Sequence, residues 1–204
     1  MRWYTEHVLP RLVDVTLGTA QHRRLRERVA AELHGTVLEI GFGSGLNLPH
    51  LPPTVTEVLA VEPSHRAVEL AAGRISASTA QVRLVGLDGQ HLDLPDDSVD
   101  CALSTWTLCT IPDAVGALRE VKRVLRPGGT LRFVEHGRAP SERVRRWQNR
   151  LDPLQQRLAG GCHLNRDIPA LMTEAGLQVR DLDTFYAAAE PKPFGHLFLG
   201  SALS

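Results

Sequence analysis

The chain has 204 residues, a length that suits one sizeable domain and is short for two. Lys plus Arg and Asp plus Glu number 23 each, so no net positive charge attracts nucleic acid or an anionic membrane. Three cysteines without C-x-x-C spacing argue against a disulfide framework and a structural zinc site, and favour a reducing, cytoplasmic location.

The N-terminal segment predicts helices. Charged residues interrupt residues 1–17, which match neither a secretory signal nor a transmembrane segment. Val8, Leu12 and Val15 recur at helical spacing, and residues 21–33 carry a second apolar stripe. We therefore expect two helices before the first strand and no integral membrane segment.

Short apolar runs then alternate with helical patterns. This alternation predicts βαβ units and a parallel sheet, whereas two final strands without a helix between them must pair antiparallel or lie at an edge. The result is a doubly wound α/β fold. The predicted strands are residues 36–40, 57–61, 81–86, 98–104, 130–135, 177–183 and 194–203. The predicted helices in this part are residues 64–75, 115–125, 144–158 with an interruption at Pro153, and 168–175.

A glycine cluster follows the first strand. Gly41, Gly43 and Gly45 occupy every second position at the carboxyl end of residues 36–40. Glycines allow a ligand to approach the main chain where a Cβ would block it, and open α/β sheets bind ligands at this edge. The pattern predicts a cofactor site.

The cluster departs from the dinucleotide pattern G-x-G-x-x-G. The third glycine, Gly45, comes one residue early, and Leu46 stands in its place. Glu39 lies two residues before the first glycine, where a carboxylate suits an ammonium group better than a diphosphate. A nicotinamide-dependent oxidoreductase is therefore disfavoured.

Two further strand ends carry polar residues. Glu62 ends the second strand, 62 − 41 = 21 residues after Gly41, where a carboxylate accepts hydrogen bonds from ribose hydroxyls. Asp88 begins a polar loop after the third strand, at the place where an adenine ring would lie. Three successive strand ends thus indicate one adenosine-containing ligand.

Four stretches together resemble the class I S-adenosylmethionine-dependent methyltransferases. They are residues 39–45, residues 62–64, Asp88 with residues 94–100, and residues 118–129. The resemblance is to the ubiquinone/menaquinone-methyltransferase-like, type 11 branch and covers about residues 35–136. It implies a Rossmann-like sheet of seven strands with an antiparallel last strand, S-adenosylmethionine as cofactor and S-adenosylhomocysteine as product.

Residues 104–109, 135–136 and 160–167 carry a narrower resemblance, to the methyltransferase-like proteins that methylate small alkyl thiols and to their bacterial relatives. It implies a small, largely apolar acceptor and S-methylation of a thiol. O-, C- or N-methylation of a quinol-like or amine metabolite is the alternative, and a non-catalytic adenosine-binding module is a third. Oligomeric state is not indicated by the sequence.

These interpretations assign residues to roles. Residues 1–34 are expected to form a helical lid, 35–136 the cofactor-binding core and 137–204 the acceptor side, with no metal site. His136 and His163 are candidate bases, and a purely structural role for each is the alternative. The predicted cofactor-binding residues are Glu39, Gly41, Phe42, Gly43, Gly45, Leu46, Asn47, Glu62, Pro63, Asp88, Gly89, Gln90, Thr105 and Trp106. The predicted substrate-side residues are Tyr4, Leu108, Trp147, Cys162 and His163.

Overall fold

The computed structural model describes residues 2–188 and 190–204, which form a single sheet with helices on both faces. In chain order the elements are α1 (Arg2–His7), α2 (Leu9–Leu17), α3 (Ala20–Ala30), β1 (Gly35–Ile40), β2 (Val55–Val61), α4 (His65–Ala77), β3 (Gln81–Gly86), β4 (Val99–Thr105), α5 (Ala114–Val124), β5 (Leu125–His136), α6 (Glu142–Leu158), α7 (Ile168–Glu174), β6 (Gln178–Tyr186) and β7 (His196–Leu203), with a 3₁₀ turn at Leu48–His50.

The described strands are ordered β3-β2-β1-β4-β5-β7-β6 in a seven-stranded sheet. Neighbours from β3 to β5 are parallel, and β7 runs antiparallel to both β5 and β6. The predicted doubly wound sheet with an antiparallel last strand is confirmed. The described residues between β6 and β7 contain no crossover helix, and the two strands pair directly and in opposite directions.

Each face of the sheet has its own apolar core. Leu38 and Leu59 point to one face, where they join Leu118 of α5 and Met172 of α7. The alternate strand positions pack on the opposite face against α3 and α4. Strands buried on both sides explain why the sequence shows continuous apolar runs instead of alternation.

Helix α6 is fastened to the carboxyl edge of the sheet by a buried glutamine. Gln148 Nε2 donates to the carbonyls of Gly137 and Leu164, both at 2.9 Å, and its Oε1 accepts the Ala139 N–H at 3.0 Å. The helix continues through Pro153, so the predicted interruption there is wrong. Packing of this amphipathic helix outweighs the loss of one backbone hydrogen bond.

The N-terminal helices and one strand boundary differ from the prediction. Three helices, α1, α2 and α3, precede β1 where two were expected, because the first predicted helix is divided at Val8, just before the proline at the start of α2. Strand β5 begins at Leu125, directly after α5, because its first residues continue the pairing with β4 across a shift in register. The glycine loop is followed by a 3₁₀ turn, whereas a dinucleotide site has a long helix there whose N-terminus faces the diphosphate, so the structure agrees with the departure from the dinucleotide pattern.

Among the described residues, no helix combines the length and the apolar character needed to span a bilayer.

Candidate functional site

The site lies where the carboxyl ends of β1, β2 and β4 meet. The strand order reverses between β1 and β4, and open α/β sheets bind ligands at such a switch point. A cavity of about 570 Å³ opens there, within the size range of small-molecule sites. The predicted cofactor-binding residues on its wall are Gly41, Phe42, Gly43, Leu46, Glu62, Pro63, Asp88, Gly89, Gln90, Thr105 and Trp106. The other three, Glu39, Gly45 and Asn47, lie behind this wall.

The loop after β1 has a backbone that glycine adopts easily. Gly41 and Gly43 have φ angles of +72° and +57°, in the left-handed region. A Cβ on Gly41 would collide with the side chain of Thr107. The Gly43 N–H donates to Glu62 Oε2 at 2.7 Å and so ties the loop to the end of β2. The main chain of the loop is therefore exposed to the cavity, with no side chain at Gly41 or Gly43 to cover it.

Glu62 is a buried carboxylate with both oxygens in use. Oε2 accepts the Gly43 N–H, and Oε1 accepts the Ser64 N–H at 2.8 Å. Burial raises the pKa of the carboxyl, and the two N–H groups partly oppose that rise. A carboxylate has about four lone-pair sites. Glu62 therefore keeps acceptor capacity for the hydroxyl groups of a ligand.

Asp88 begins an exposed turn that forms the rim of the cavity. Its Oδ1 accepts the Gln90 side-chain amide at 2.8 Å and the Gln90 backbone N–H at 2.9 Å, and these bonds lower the pKa of Asp88. Gln90 Oε1 accepts the Asp113 N–H at 2.9 Å. The turn therefore holds an ionised carboxylate at the predicted adenine end.

A buried polar network lies behind the glycine loop. Asn47 Nδ2 donates to Glu39 Oε1 at 2.6 Å, and Arg26 Nη1 donates to Asn47 Oδ1 at 2.7 Å and to Thr105 Oγ1 at 2.9 Å. Burial raises the pKa of Glu39 to about 7 and lowers that of Arg26 to about 10. Within the described residues, Glu39 Oε2 is buried and accepts no hydrogen bond.

Sequence reasoning missed Arg26, which reaches the cavity wall from α3. Its guanidinium lies 4.9 Å from the centroid of the Trp106 ring. Its position in the helix could have indicated this role, because Arg26 shares the buried face of α3 with Leu25 and Val29. A cation on a buried helical face requires a partner.

Trp106 occupies the turn directly after β4. Its φ of +51° is rare for a large side chain, and such strained positions concentrate at ligand sites. The next residue, Thr107, is hydrogen-bonded to Glu135, because Glu135 Oε2 accepts the Thr107 N–H at 3.0 Å. The buried carboxylate at the end of β5 thereby holds the turn that carries Trp106 and Thr107 against the cavity.

Helix α2 forms an apolar part of the cavity wall. The sequence predicts that residues 1–34 form a lid but does not identify these side chains. Leu9, Val13 and Leu17 line the cavity opposite the glycine loop. The helix is attached through Asp14, whose Oδ1 accepts Ser44 Oγ at 2.5 Å and Arg74 Nη1 at 2.9 Å. The first helices are thus fastened to both the glycine loop and α4.

The two candidate bases lie away from the cavity wall. His136 Nε2 is 3.0 Å from Cys162 Sγ, which donates to Cys109 Sγ at 3.4 Å. This hydrogen bond to Cys109, together with burial, raises the pKa of the Cys162 thiol well above its usual range. His163 Nδ1 lies 3.3 Å from Asp152 Oδ2. The structure brings neither imidazole to the wall of the strand-end cavity.

The remaining predicted substrate-side residues are also off this wall. The Tyr4 hydroxyl donates to the Leu158 carbonyl at 3.0 Å, and Leu108 is fully buried. Trp147 is 50% exposed on the outer side of α6, with the Arg150 guanidinium 5.6 Å from its ring centroid. Direct contact of these side chains with an acceptor in the cavity is not supported by their placement.

A second depression of about 700 Å³ lies between α1 and α4. Although it is larger, Trp3, His7 and Arg11 on its wall belong to the outer helices, and the glycine loop does not reach it. The strand-end cavity is the better candidate because the buried polar groups converge on it.

The donors and acceptors at the strand-end cavity fit S-adenosylmethionine. Glu62 offers oxygen acceptors for ribose hydroxyls, and the bare loop at Gly41 and Gly43 permits close approach. At the other end, the Arg26 guanidinium on the wall matches the carboxylate of an amino acid, and Glu39 Oε2, which lies unpaired behind the wall, matches its ammonium group.

Comparisons with known proteins identify the family. A family model described as a methyltransferase domain matches residues 38–133. The chain is 30% identical over 169 residues to thiol S-methyltransferase TMT1B of Rattus norvegicus, covering 81% of this chain and 67% of that protein. It is 34% identical over 136 residues to thiol S-methyltransferase TMT1A of Homo sapiens, covering 65% and 55%. A demethylmenaquinone methyltransferase of Roseiflexus castenholzii is 32% identical over 130 residues, covering 62% and 55%.

Solved structures share the fold. An S-adenosylmethionine-dependent methyltransferase from Aquifex aeolicus superposes with a TM-score of 0.67 at 19% identity, covering 95% of this chain and 97% of that one. The [4+2]-cyclase SpnF superposes with a TM-score of 0.70 at 20% identity, covering 90% and 80%. The fold alone therefore does not determine the reaction. Sequence identity across most of its length nevertheless shows that this chain belongs to the class I S-adenosylmethionine-dependent methyltransferases.

Proposed function

We propose that this methyltransferase methylates the sulfur of a small, largely apolar thiol that enters beside α2. One observation carries the proposal: the described residues that line the cavity include no histidine, lysine or cysteine. A phenol or a carbon acid usually needs a positioned base, whereas a thiol is a few per cent thiolate near neutral pH and is intrinsically nucleophilic. A wall without an imidazole therefore favours a thiol.

In this proposal the protein binds the cofactor and positions the acceptor next to it. When bound, S-adenosylmethionine supplies a methyl group on a sulfonium, whose thioether leaving group needs no proton. We assign the ribose hydroxyls to Glu62, the adenine end to the Asp88 turn, and the amino-acid end to Glu39 and Arg26. The protein then contributes mainly alignment of the acceptor and exclusion of water. The products are a methyl thioether and S-adenosylhomocysteine.

The acceptor subsite is assigned to the apolar wall. Leu9, Val13 and Leu17 of α2 face the cavity together with Ile111 from the turn after β4. Apolar side chains there favour an uncharged acceptor and exclude water from the reacting sulfur. In this proposal residues 1–34 act as a lid, and His136 and His163 are not required as bases.

The names of the relatives support the thiol and define the runner-up. TMT1A and TMT1B are thiol S-methyltransferases, whereas other matches over a smaller part of the chain include a phosphatidylethanolamine N-methyltransferase and a demethylmenaquinone methyltransferase. A quinol-like phenol or an amine is therefore the second candidate acceptor. The balanced charge supports a small molecule over nucleic acid, and three unpaired cysteines support a cytoplasmic location.

The test is methyl transfer from isotope-labelled S-adenosylmethionine to a panel of alkyl thiols, phenols and amines, with products identified by mass spectrometry. We expect methyl thioethers, and we expect kcat/KM to rise about tenfold per pH unit below the pKa of each thiol, because the thiolate is the nucleophile. Methyl ethers or N-methyl products without thioethers would transfer the assignment to the runner-up. No transfer to any acceptor would favour a binding module.

The position of the acceptor is tested with two variants of the same helix. Leu9→Ala shortens a side chain on the cavity wall, and Val15→Ala shortens one that is 72% exposed on the outside of α2. We expect Leu9→Ala to raise the KM for apolar thiols by roughly tenfold while the Kd for S-adenosylhomocysteine changes little. Val15→Ala should alter neither, and equal effects of the two variants would contradict the assigned subsite.

A further inference from the structure

We propose that Cys109, His136 and Cys162 form a binding site for one zinc ion. Cys109 Sγ and Cys162 Sγ lie 3.4 Å apart, and His136 Nε2 lies 3.0 Å from Cys162 Sγ. The three atoms all lie within 4.8 Å of one another, and all three side chains are buried. Two of the chain's three cysteines therefore meet at one point beside a histidine.

The ligand chemistry favours zinc among common metal ions. Two thiolates and one imidazole are the soft and borderline ligands that zinc takes, whereas magnesium and calcium prefer oxygen. Zinc bonds of about 2.3 Å to sulfur place two tetrahedral thiolates about 3.8 Å apart. Compared with the 3.4 Å observed, the sulfur atoms need to separate by only about 0.4 Å.

The surroundings help to balance the charge of two thiolates. Arg166 donates to the carbonyl oxygens of Leu108 and Ile111, on either side of Cys109, and the second of these bonds is 2.6 Å long. Its guanidinium therefore lies near the thiols. The neighbouring Glu135 carboxylate accepts hydrogen bonds from the Ser104 hydroxyl and the Thr107 N–H. Within the described residues three ligands converge, which leaves a fourth position for water or another small ligand.

A metal ion here would join three separate segments. Cys109 belongs to the turn after β4, His136 ends β5, and Cys162 lies in the loop after α6. The first segment carries Trp106 and Thr110 and the last carries Gly160, all on the cavity wall. Zinc would therefore fix two parts of that wall relative to the sheet. This inference does not depend on the identity of the methyl acceptor.

The experiment uses the full chain, reduced and stripped of metal, with zinc or cobalt(II) alone as the added ligand. We expect one zinc per chain by elemental analysis, and in the cobalt form a thiolate-to-metal charge-transfer band with tetrahedral d–d bands. Zinc should also raise Tm, because it binds the folded state preferentially.

Three ligand variants and one matched control test the assignment. Cys109→Ser, Cys162→Ser and His136→Gln should each lower zinc affinity by more than about a hundredfold, since even outer partners of metal ligands contribute tenfold to a hundredfold. Cys101→Ser should bind zinc as the wild type does, because Cys101 is also buried but lies elsewhere, near His34 and Thr130.

If a ligand variant fails to fold, X-ray absorption of the zinc-loaded wild type decides the question. Two sulfur ligands and one nitrogen ligand support the site. Three results overturn it: a shell of nitrogen and oxygen alone, wild type that binds no zinc, or charge-transfer bands that keep their full intensity in Cys162→Ser. The alternative is a redox pair. It would be shown if the reduced chain binds no zinc and then forms a Cys109–Cys162 disulfide on exposure to air.

Discussion

Glu62 serves both the loop and the ligand in the proposed complex. It accepts the N–H groups of Gly43 and Ser64, and the residue also lines the cavity. A single carboxylate thereby couples the shape of the glycine loop to the presence of a ribose. Such coupling explains why a buried, costly charge is kept at the end of β2.

Replacing Glu62 with alanine should weaken binding of S-adenosylmethionine and S-adenosylhomocysteine by roughly tenfold to a hundredfold, as expected for the loss of charge-assisted hydrogen bonds. Isothermal calorimetry measures both affinities. Glu142→Ala, which removes an exposed carboxylate from α6, is the control and should leave them unchanged. Equal affinities in all three proteins would remove Glu62 from the site.

Glu39 should make stability fall as pH rises. Its pKa is raised by burial from 4.5 to about 7 in the folded chain, so the folded state binds more protons than the unfolded state between these values. Relative to Glu39→Gln, the wild type should lose ~3 kcal/mol of unfolding free energy between about pH 4.5 and pH 7.5. Urea titrations across this range measure the difference. A pH-independent difference would show that Glu39 stays ionised throughout.

At the scale of elements, α2 is a short helix that depends on its contacts with the sheet domain. It buries none of its residues fully, although Leu9, Val13 and Leu17 face the cavity. Asp14 is its polar attachment, reaching Ser44 in the glycine loop and Arg74 in α4. An element with few buried contacts opens more readily than the core, which is consistent with the lid proposed for residues 1–34.

A double-mutant cycle of Asp14→Ala and Arg74→Ala should give a coupling of about 0.5–1 kcal/mol in unfolding free energy, because both side chains are partly buried and share Ser44. The exposed pair Glu142 and Arg146 within α6 should give about 0.3–0.5 kcal/mol or less. Hydrogen exchange of α2 should accelerate in Asp14→Ala. Protection equal to that of the wild type would show that apolar packing alone holds the helix.

At the scale of the whole molecule, two cores on opposite faces of the sheet position the strand ends that form the cavity. Ligand binding at this edge should therefore stabilise the entire fold. S-adenosylhomocysteine at a hundred times its Kd should add ~2.7 kcal/mol and raise Tm by about 5–10 °C for a chain of this size. Differential scanning calorimetry measures the shift. The shift should shrink in Glu62→Ala at the same ligand concentration, and no shift in the wild type would contradict the site.

The sequence by itself determined the fold class and placed the predicted cofactor-binding residues at one edge of the sheet. Apolar strand runs, helical stripes and glycine spacing are local patterns, since each depends on residues close together in the chain. Glu62 and Asp88 were placed correctly at strand ends because parallel strands bring their carboxyl ends to one edge. The antiparallel ending likewise followed from two strands without a helix between them.

Only the tertiary structure decided which side chains meet. Arg26 reaches Asn47 and Thr105 across 21 and 79 residues of sequence, and Cys109 meets Cys162 across 53. The tertiary structure also places His136 against the Cys162 thiol and not in the cavity, and it directs Trp147 toward solvent. These outcomes depend on how helices pack over the sheet edge, and convergence of distant segments leaves no periodic signal in the sequence.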